Sequence, residues 1–232
     1  MRQIMLDTET TGLSPQNGDR IVEIGCVELL HRKLTGNNKH FYLNPERDSD
    51  EGALKVHGLT TEFLSDKPKF SQIADDFLDY IAGADEIIIH NAPFDVGFLD
   101  AELQRAGKNR WTSYAFKVVD SLAMAKLQYP GKRNSLDALC DRLGVDNSGR
   151  KLHGALLDAE LLADVYIGLT RGQDALLMDA VSDSTGLAMQ AIDFSQFDLS
   201  VLLPTQTELT AHESVLVQLD KASGGKTVWR TL

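Results

Sequence analysis

The chain opens on an apolar run, Ile4 to Leu6, that carries straight into LDTET, and residues 3–9 read as a buried strand. Two more strand-like runs follow, IVEIGCVELL and KHFYLN, separated by the turn-forming stretch TGNNK. Together they predict a three-strand antiparallel unit. From Pro68 to Ala82 the apolar positions Phe70, Ile73, Phe77, Leu78 and Ile81 have helical spacing, whereas EIIIH at 86–90 is a short all-apolar run suited to a central strand. A helix is predicted from about Asn91, with Pro93 in its first turn where a missing N–H costs nothing, to Gly107 as its C-cap. AFKVVD at 115–120 reads as a strand, SLAMAKL as a helix, and NSLDALCDRLG as a capped amphipathic helix stopped by Gly144. A further helix covers about Gly154 to Thr170.

A β-meander followed by alternating helices and strands implies an α/β protein whose mixed sheet is covered on both faces by helices. After Gly172 the periodicity breaks down. The expected organisation is a folded domain over 1–172, then a flexible linker over 173–210, rich in Asp, Ser, Thr and Gln, then a tail over 211–232. The tail holds a short amphipathic helix in AHESVLVQLDKASGG, a Gly-Gly break and Trp229. There is no internal repeat.

Composition changes this picture in three ways. With 43% hydrophobic residues the chain can bury a sizeable core, yet no window approaches the roughly eighteen apolar residues of a membrane span, and the first residues lack a secretory layout. A cytoplasmic protein with no membrane partner is expected. Cys26 and Cys140 are far apart in apolar surroundings, which predicts core thiols and gives no support to a disulfide framework or a CxxC metal knuckle. The net charge of −11 argues against gripping duplex nucleic acid through a broad basic face, so any contact must be local. Lys117 to Lys151, with seven basic and four acidic residues, is the one stretch that could face phosphates, or could equally be a solvated surface.

The candidate chemistry starts from LDTET. Side chains two apart on a strand share a face, so Asp7 and Glu9 point together and repel. Such a pair is costly on a buried strand unless one acid is protonated or a cation lies between them; the alternative is an exposed strand end beside a turn. Asp95 falls in the first turn of the helix after EIIIH, and Asp120 closes KVVD, so acids cluster at the carboxyl ends of strands, where α/β sheets bind ligands. Asp95 also suits the helix dipole, and Asp120 is an ordinary N-cap for SLAMAKL. In KLHGALLDAELLADVY, His153 and Asp158 would lie about 140° apart on a regular helix, so one must sit outside it. Gly154 puts the break just after His153, leaving the imidazole on a loop, where it suits proton transfer near neutral pH.

LDTETTG, HNAPFD and HGALLDA resemble, in order and context, the three exonuclease motifs of the DEDD superfamily, in the version whose last motif carries histidine. The resemblance covers about residues 1–170 and implies a ribonuclease H-like mixed sheet, an antiparallel meander joined to parallel strands and flanked by helices, with a C-terminal extension. It implies that Asp7, Glu9, Asp95 and Asp158 bind two Mg²⁺ (or Mn²⁺) ions, with His153 as general base. Hard carboxylate oxygens suit those ions, and a two-metal site suits phosphodiester hydrolysis. His57 in VHGLT is similar to a family histidine beside the terminal nucleotide, and Thr10, Gly12, Leu13 and Phe94 occupy positions that in the family line the pocket for the 3′ end, which implies a single-stranded primer DNA end as partner.

The tail resembles the segment by which proofreading exonucleases of bacterial replicases bind the polymerase (alpha) subunit, which singles out Val228 and Trp229. Gln190, Ile192 and Phe194 in QAIDF resemble a sliding-clamp peptide, with TGLAM as a rival candidate. A small theta-like accessory subunit is a further partner the resemblance implies. Tethering beside a primer end would supply effective concentration that an acidic protein cannot supply through its own charge. Frayed, mispaired ends would enter the site at least cost. An RNA exonuclease of the same fold and a non-enzymatic scaffold remain the alternatives.

Overall fold

The computed structural model describes residues 1–114, 116–149, 152–171 and 204–224. Its sheet runs in the order β3-β2-β1-β5-β6, with β4 also paired to β2. The strands are β1 (Arg2–Thr10), β2 (Ile21–Leu30), β3 (Lys33–Leu34), β4 (Lys39–Tyr42), β5 (Glu86–Ile89) and β6 (Lys117–Asp120). β1 to β4 form the antiparallel part, whereas β1, β5 and β6 are parallel. The helices around them are α1 (Glu51–His57), α2 (Thr61–Leu64), α3 (Phe70–Ile81), α4 (Ala92–Arg105), α5 (Ser121–Gln128), α6 (Leu136–Leu143) and α7 (Ala155–Leu169).

The meander departs from expectation at its second turn. The hairpin reverses at His31 and Arg32, both at positive φ (50° and 64°), and TGNNK interrupts the returning strand rather than preceding it. Glu28 holds that interruption, accepting from Thr35 Oγ1 at 2.7 Å and Asn37 Nδ2 at 3.3 Å. His-Arg lacks the Asn or Gly that normally marks a two-residue hairpin turn, so the reversal was hidden. α4 also stops at Arg105, before Gly107, which follows the cap in the left-handed region at φ +71°.

Alternation along β1 sorts the sheet into two cores. Ile4 and Leu6 face one core, with α3 and α4 residues such as Phe77, Phe98 and Leu99 and the fully buried Trp111. Met5 faces the other, with Val27, Ile88 and residues of α5, α6 and α7. Both cysteines are buried free thiols, Cys26 in the first core and Cys140 in the second. Caps fix the second core's helices. Asp120 accepts from the N–H groups of Leu122 and Ala123, and Gly144 ends α6 at φ +70°.

The chain divides into two compact units, Met1–Ser182 and Asp183–Leu232. In the second, one helix spans Gln206–Ser223 and crosses the expected boundary at 210/211. It begins early because Thr205 and Glu208 form a capping box, with Thr205 N donating to Glu208 Oε2 at 2.7 Å. The expected clamp peptide and the polymerase-contact residues Val228 and Trp229 lie outside the described residues. Among the described residues no helix is long and apolar enough to cross a membrane.

Candidate active site

At the end of β1, residues from both layers of helices line one cavity with the strand. Asp7 and Glu9 project toward α7, because they continue the face that Met5 buries there. Their cross-strand partners are Gly25 and Glu23. Gly25 is what lets α7 come close: a Cβ at that position would overlap the Ala155 carbonyl group and the Leu156 nitrogen. The first turn of α7 therefore rests on the strand, with Asp158 buried beside the two β1 acids. Glu23 is also buried, and its Oε1 is held by His40 Nε2 at 2.6 Å.

Asp95 arrives from the opposite layer. It lies in the first turn of α4, whose N-cap Asn91 adopts left-handed backbone (φ 72°), and Asp120 Oδ1 accepts from Asn91 N at 3.1 Å. The strand residue between the two acids reaches it: Thr8 Oγ1 donates to Asp95 Oδ1 at 2.7 Å. Burial pushes the Asp95 carboxyl up to about 7, although the Thr8 hydrogen bond pulls the other way. A carboxyl in that state is one whose charge lacks full compensation.

His153 sits just outside α7, whose N-cap is Gly154, so the expected break is where the histidine precedes the helix. Its side chain is 44% exposed, and Nδ1 lies 3.3 Å from Asp158 Oδ2. The loop is anchored from behind, since His153 N donates to the Val56 carbonyl at 3.0 Å. Ligand atoms of Glu9, His153 and Asp158 all lie within 4.8 Å of one another. Asp7, Glu9, Asp95, Asp158 and His153 line one cavity of about 250 Å³, closed on its far side by Ser135, Leu136 and Asp137.

A second cavity of about 440 Å³ shares Thr8, Glu9 and Phe94 with the first. Thr10, Gly12, Leu13 and His57 line it, together with Asp50, Gly52, Ala53 and Val56 from around α1. Thr10 Oγ1 donates to the Gly12 carbonyl at 2.6 Å, and a Cβ on Gly12 would strike the buried Asp19 carboxylate, so only glycine keeps this turn tight. Burial lowers the His57 pKa, and its Nδ1 accepts from Leu59 N at 3.0 Å. All five residues singled out for end binding thus share one wall system.

Sequence reasoning singled out His57 but missed Thr8, Gly25, Glu23 and the rest of α1. The signals were a threonine between two acids and a glycine inside a mostly apolar strand; α1 has no long apolar period to announce it.

The exonuclease family model (RNase_T) matches residues 4–166. DNA polymerase III subunit epsilon of Haemophilus influenzae is 52% identical, over 98% of this chain and 94% of that protein. The Escherichia coli K12 protein of the same name is 48% identical, over 99% and 97%. The chain belongs to the epsilon family of DNA polymerase III subunits. Epsilon-family membership carries exonuclease activity with it, and the fold agrees. Exonuclease X, solved with 5′ overhanging duplex DNA, superposes with a TM-score of 0.57 at 24% identity over 72% of this chain and 90% of that one. Exonuclease I without ligand gives 0.65 at 16% identity over 78% and 44%. At those identities the likeness is one of fold, and the epsilon relatives carry the family assignment.

Proposed function

We propose that this chain removes mispaired nucleotides from the 3′ end of a DNA primer strand, as the proofreading exonuclease of a bacterial replicative polymerase. The observation that carries the reading is the convergence of four carboxylates and a histidine, from β1, α4 and α7, on a cavity that opens into an apolar one.

The donor set fits divalent cations. Asp7, Glu9, Asp95 and Asp158 offer hard oxygens, and the uncompensated charge at Asp95 is what a cation would relieve. We assign these four acids to two Mg²⁺ or Mn²⁺ ions, which when bound activate a water and stabilise the leaving oxygen of a phosphodiester. Asp158 orients His153: when Nδ1 donates to Oδ2, the remaining ring nitrogen, Nε2, is the proton acceptor. Exposure of the ring lets it give that proton to solvent afterwards. Thr8 fixes the Asp95 rotamer, and Gly25 sets the depth of α7. Thr10, Gly12, Leu13, His57 and Phe94 hold the terminal nucleoside in the larger cavity, with Leu13 and Phe94 as apolar contacts. A frayed end enters such a pair of cavities as a single strand.

The same proposal assigns the second unit to protein contacts. Its helix Gln206–Ser223 leaves Leu209, Val215, Val217 and Leu219 exposed, which supports docking to the polymerase subunit, with Val228 and Trp229 beyond it. Gln190, Ile192 and Phe194 are assigned to a sliding clamp, and a small theta-like subunit is a further partner. The work is done in the cytoplasm.

The test is a labelled primer–template with a terminal mismatch. Mononucleotides should appear with Mg²⁺ and not with chelator, faster from the mismatched than the matched end. Preferential release from an RNA strand of the same sequence would overturn the DNA assignment.

A further inference from the structure

The loop from Tyr129 to Ser135 leads directly into the far wall of the acidic cavity, and its backbone is held unusually firmly for an exposed turn. Buried Asn134 donates through Nδ2 to the carbonyls of Tyr129 (3.2 Å) and Lys132 (3.1 Å). Arg142 of α6 spans the loop from beneath. Its Nη1 donates to Asn134 Oδ1 at 3.0 Å, its Nη2 to the Arg133 carbonyl at 2.7 Å, and its guanidinium lies 4.6 Å from the Tyr129 ring centroid. These bonds fix the loop and leave the Lys132 and Arg133 side chains exposed.

Among the described residues, about half of the basic side chains meet carboxylates, as in Arg20–Glu102, Lys39–Asp76 and Arg47–Asp19. Lys132 and Arg133 make no ion pair among the described residues. In a protein of net charge −11, two unneutralised cations on a rigid loop beside a cavity of acids are placed for an external anion.

We propose that Lys132 and Arg133 bind the backbone phosphates of the substrate strand on the 5′ side of the scissile bond. The inference rests on the exonuclease reading above, and the two cavities give it a direction. They share Thr8, Glu9 and Phe94, whereas Ser135 to Asp137 line only the acidic one. With the terminal nucleoside in the apolar cavity and the scissile phosphate at the acids, the strand leaves past this loop. Contacts to phosphates position a strand without reading its sequence, as an enzyme removing any terminal base requires.

The test compares the full-length wild-type chain with K132A/R133A and with the charge-keeping K132R/R133K, in Mg²⁺. Two substrates are used: a thymidylate strand of about ten nucleotides and the p-nitrophenyl ester of thymidine 5′-monophosphate, which has no upstream phosphate. The double alanine variant should lower kcat/KM on the strand on the order of tenfold at about 0.1 M salt. It should also flatten the log–log salt dependence by about 1.4, the release expected from two single-strand phosphate contacts at ~0.7 each. The ratio of strand to ester activity should fall by the same factor, and K132R/R133K should restore it. An unchanged salt slope on the strand, or equal losses on both substrates, would overturn the proposal while leaving the exonuclease reading in place. A wild-type chain that cleaves neither substrate removes both.

Discussion

The two cavities that meet at Glu9 are built on opposite plans. The acidic one is assembled from side chains carried by β1, α4 and the start of α7, and its cost is electrostatic: four carboxylates share one cavity, and burial drives Asp95 toward neutrality. The apolar one is assembled from a turn and a short helix, with Leu13 84% exposed and Gly12 and Gly52 supplying bare backbone. The acids are anchored on core elements; the surface proposed to take a terminal nucleoside lies largely on a turn and a short, mostly exposed helix. The contrast predicts that damage to one cavity strikes the chemical step and damage to the other strikes binding.

The sharpest test of that division is Asp7→Ala with Glu9→Ala, which should reduce single-turnover release roughly a thousandfold or more while the affinity for a chelator-protected strand changes little. Equal losses in rate and affinity would merge the two cavities into one. Next in size is Gly25→Ala. A methyl group there must push the first turn of α7 off the strand, so kcat should drop on the order of tenfold, with urea denaturation showing a loss of about 1–3 kcal/mol. The electrostatic cost itself can be read from pH. Because the folded Asp95 pKa is raised to about 7, the native state holds a proton that the unfolded chain gives up near pH 4. The stability of chelated protein should therefore be greatest below about pH 4 as far as this group is concerned, and decline as pH rises toward 7 and through it. Saturating Mg²⁺ should cancel that decline in thermal melts. The smallest effect belongs to the other cavity: Leu13→Ala should raise KM about fivefold, roughly 1 kcal/mol of lost apolar contact, with kcat and melting temperature unmoved.

Much of this arrangement was legible in the residues. Asp7 and Glu9 share a face by strand alternation alone, Gly154 announces the start of α7, and Ser135, Asp120 and Gly144 are caps by type. What escaped has physical causes. α1 is seven residues long and mostly exposed, so no apolar period betrays it. The turn at His31 and Arg32 reaches positive φ without the Asn-Gly or Asp-Gly pair that announces such a hairpin. The helix Gln206–Ser223 starts on a capping box rather than on its apolar residues. Gly25 reads as a weak point in a strand until the helix that rests on it is known.

The four acids depend on three closure events: β1 pairing with β2 for Asp7 and Glu9, α4 packing on one side for Asp95, and α7 settling on the other for Asp158. A molecule in which any one of the three has not formed lacks the complete set of acids, so the proposed cutting centre exists only once all three are in place.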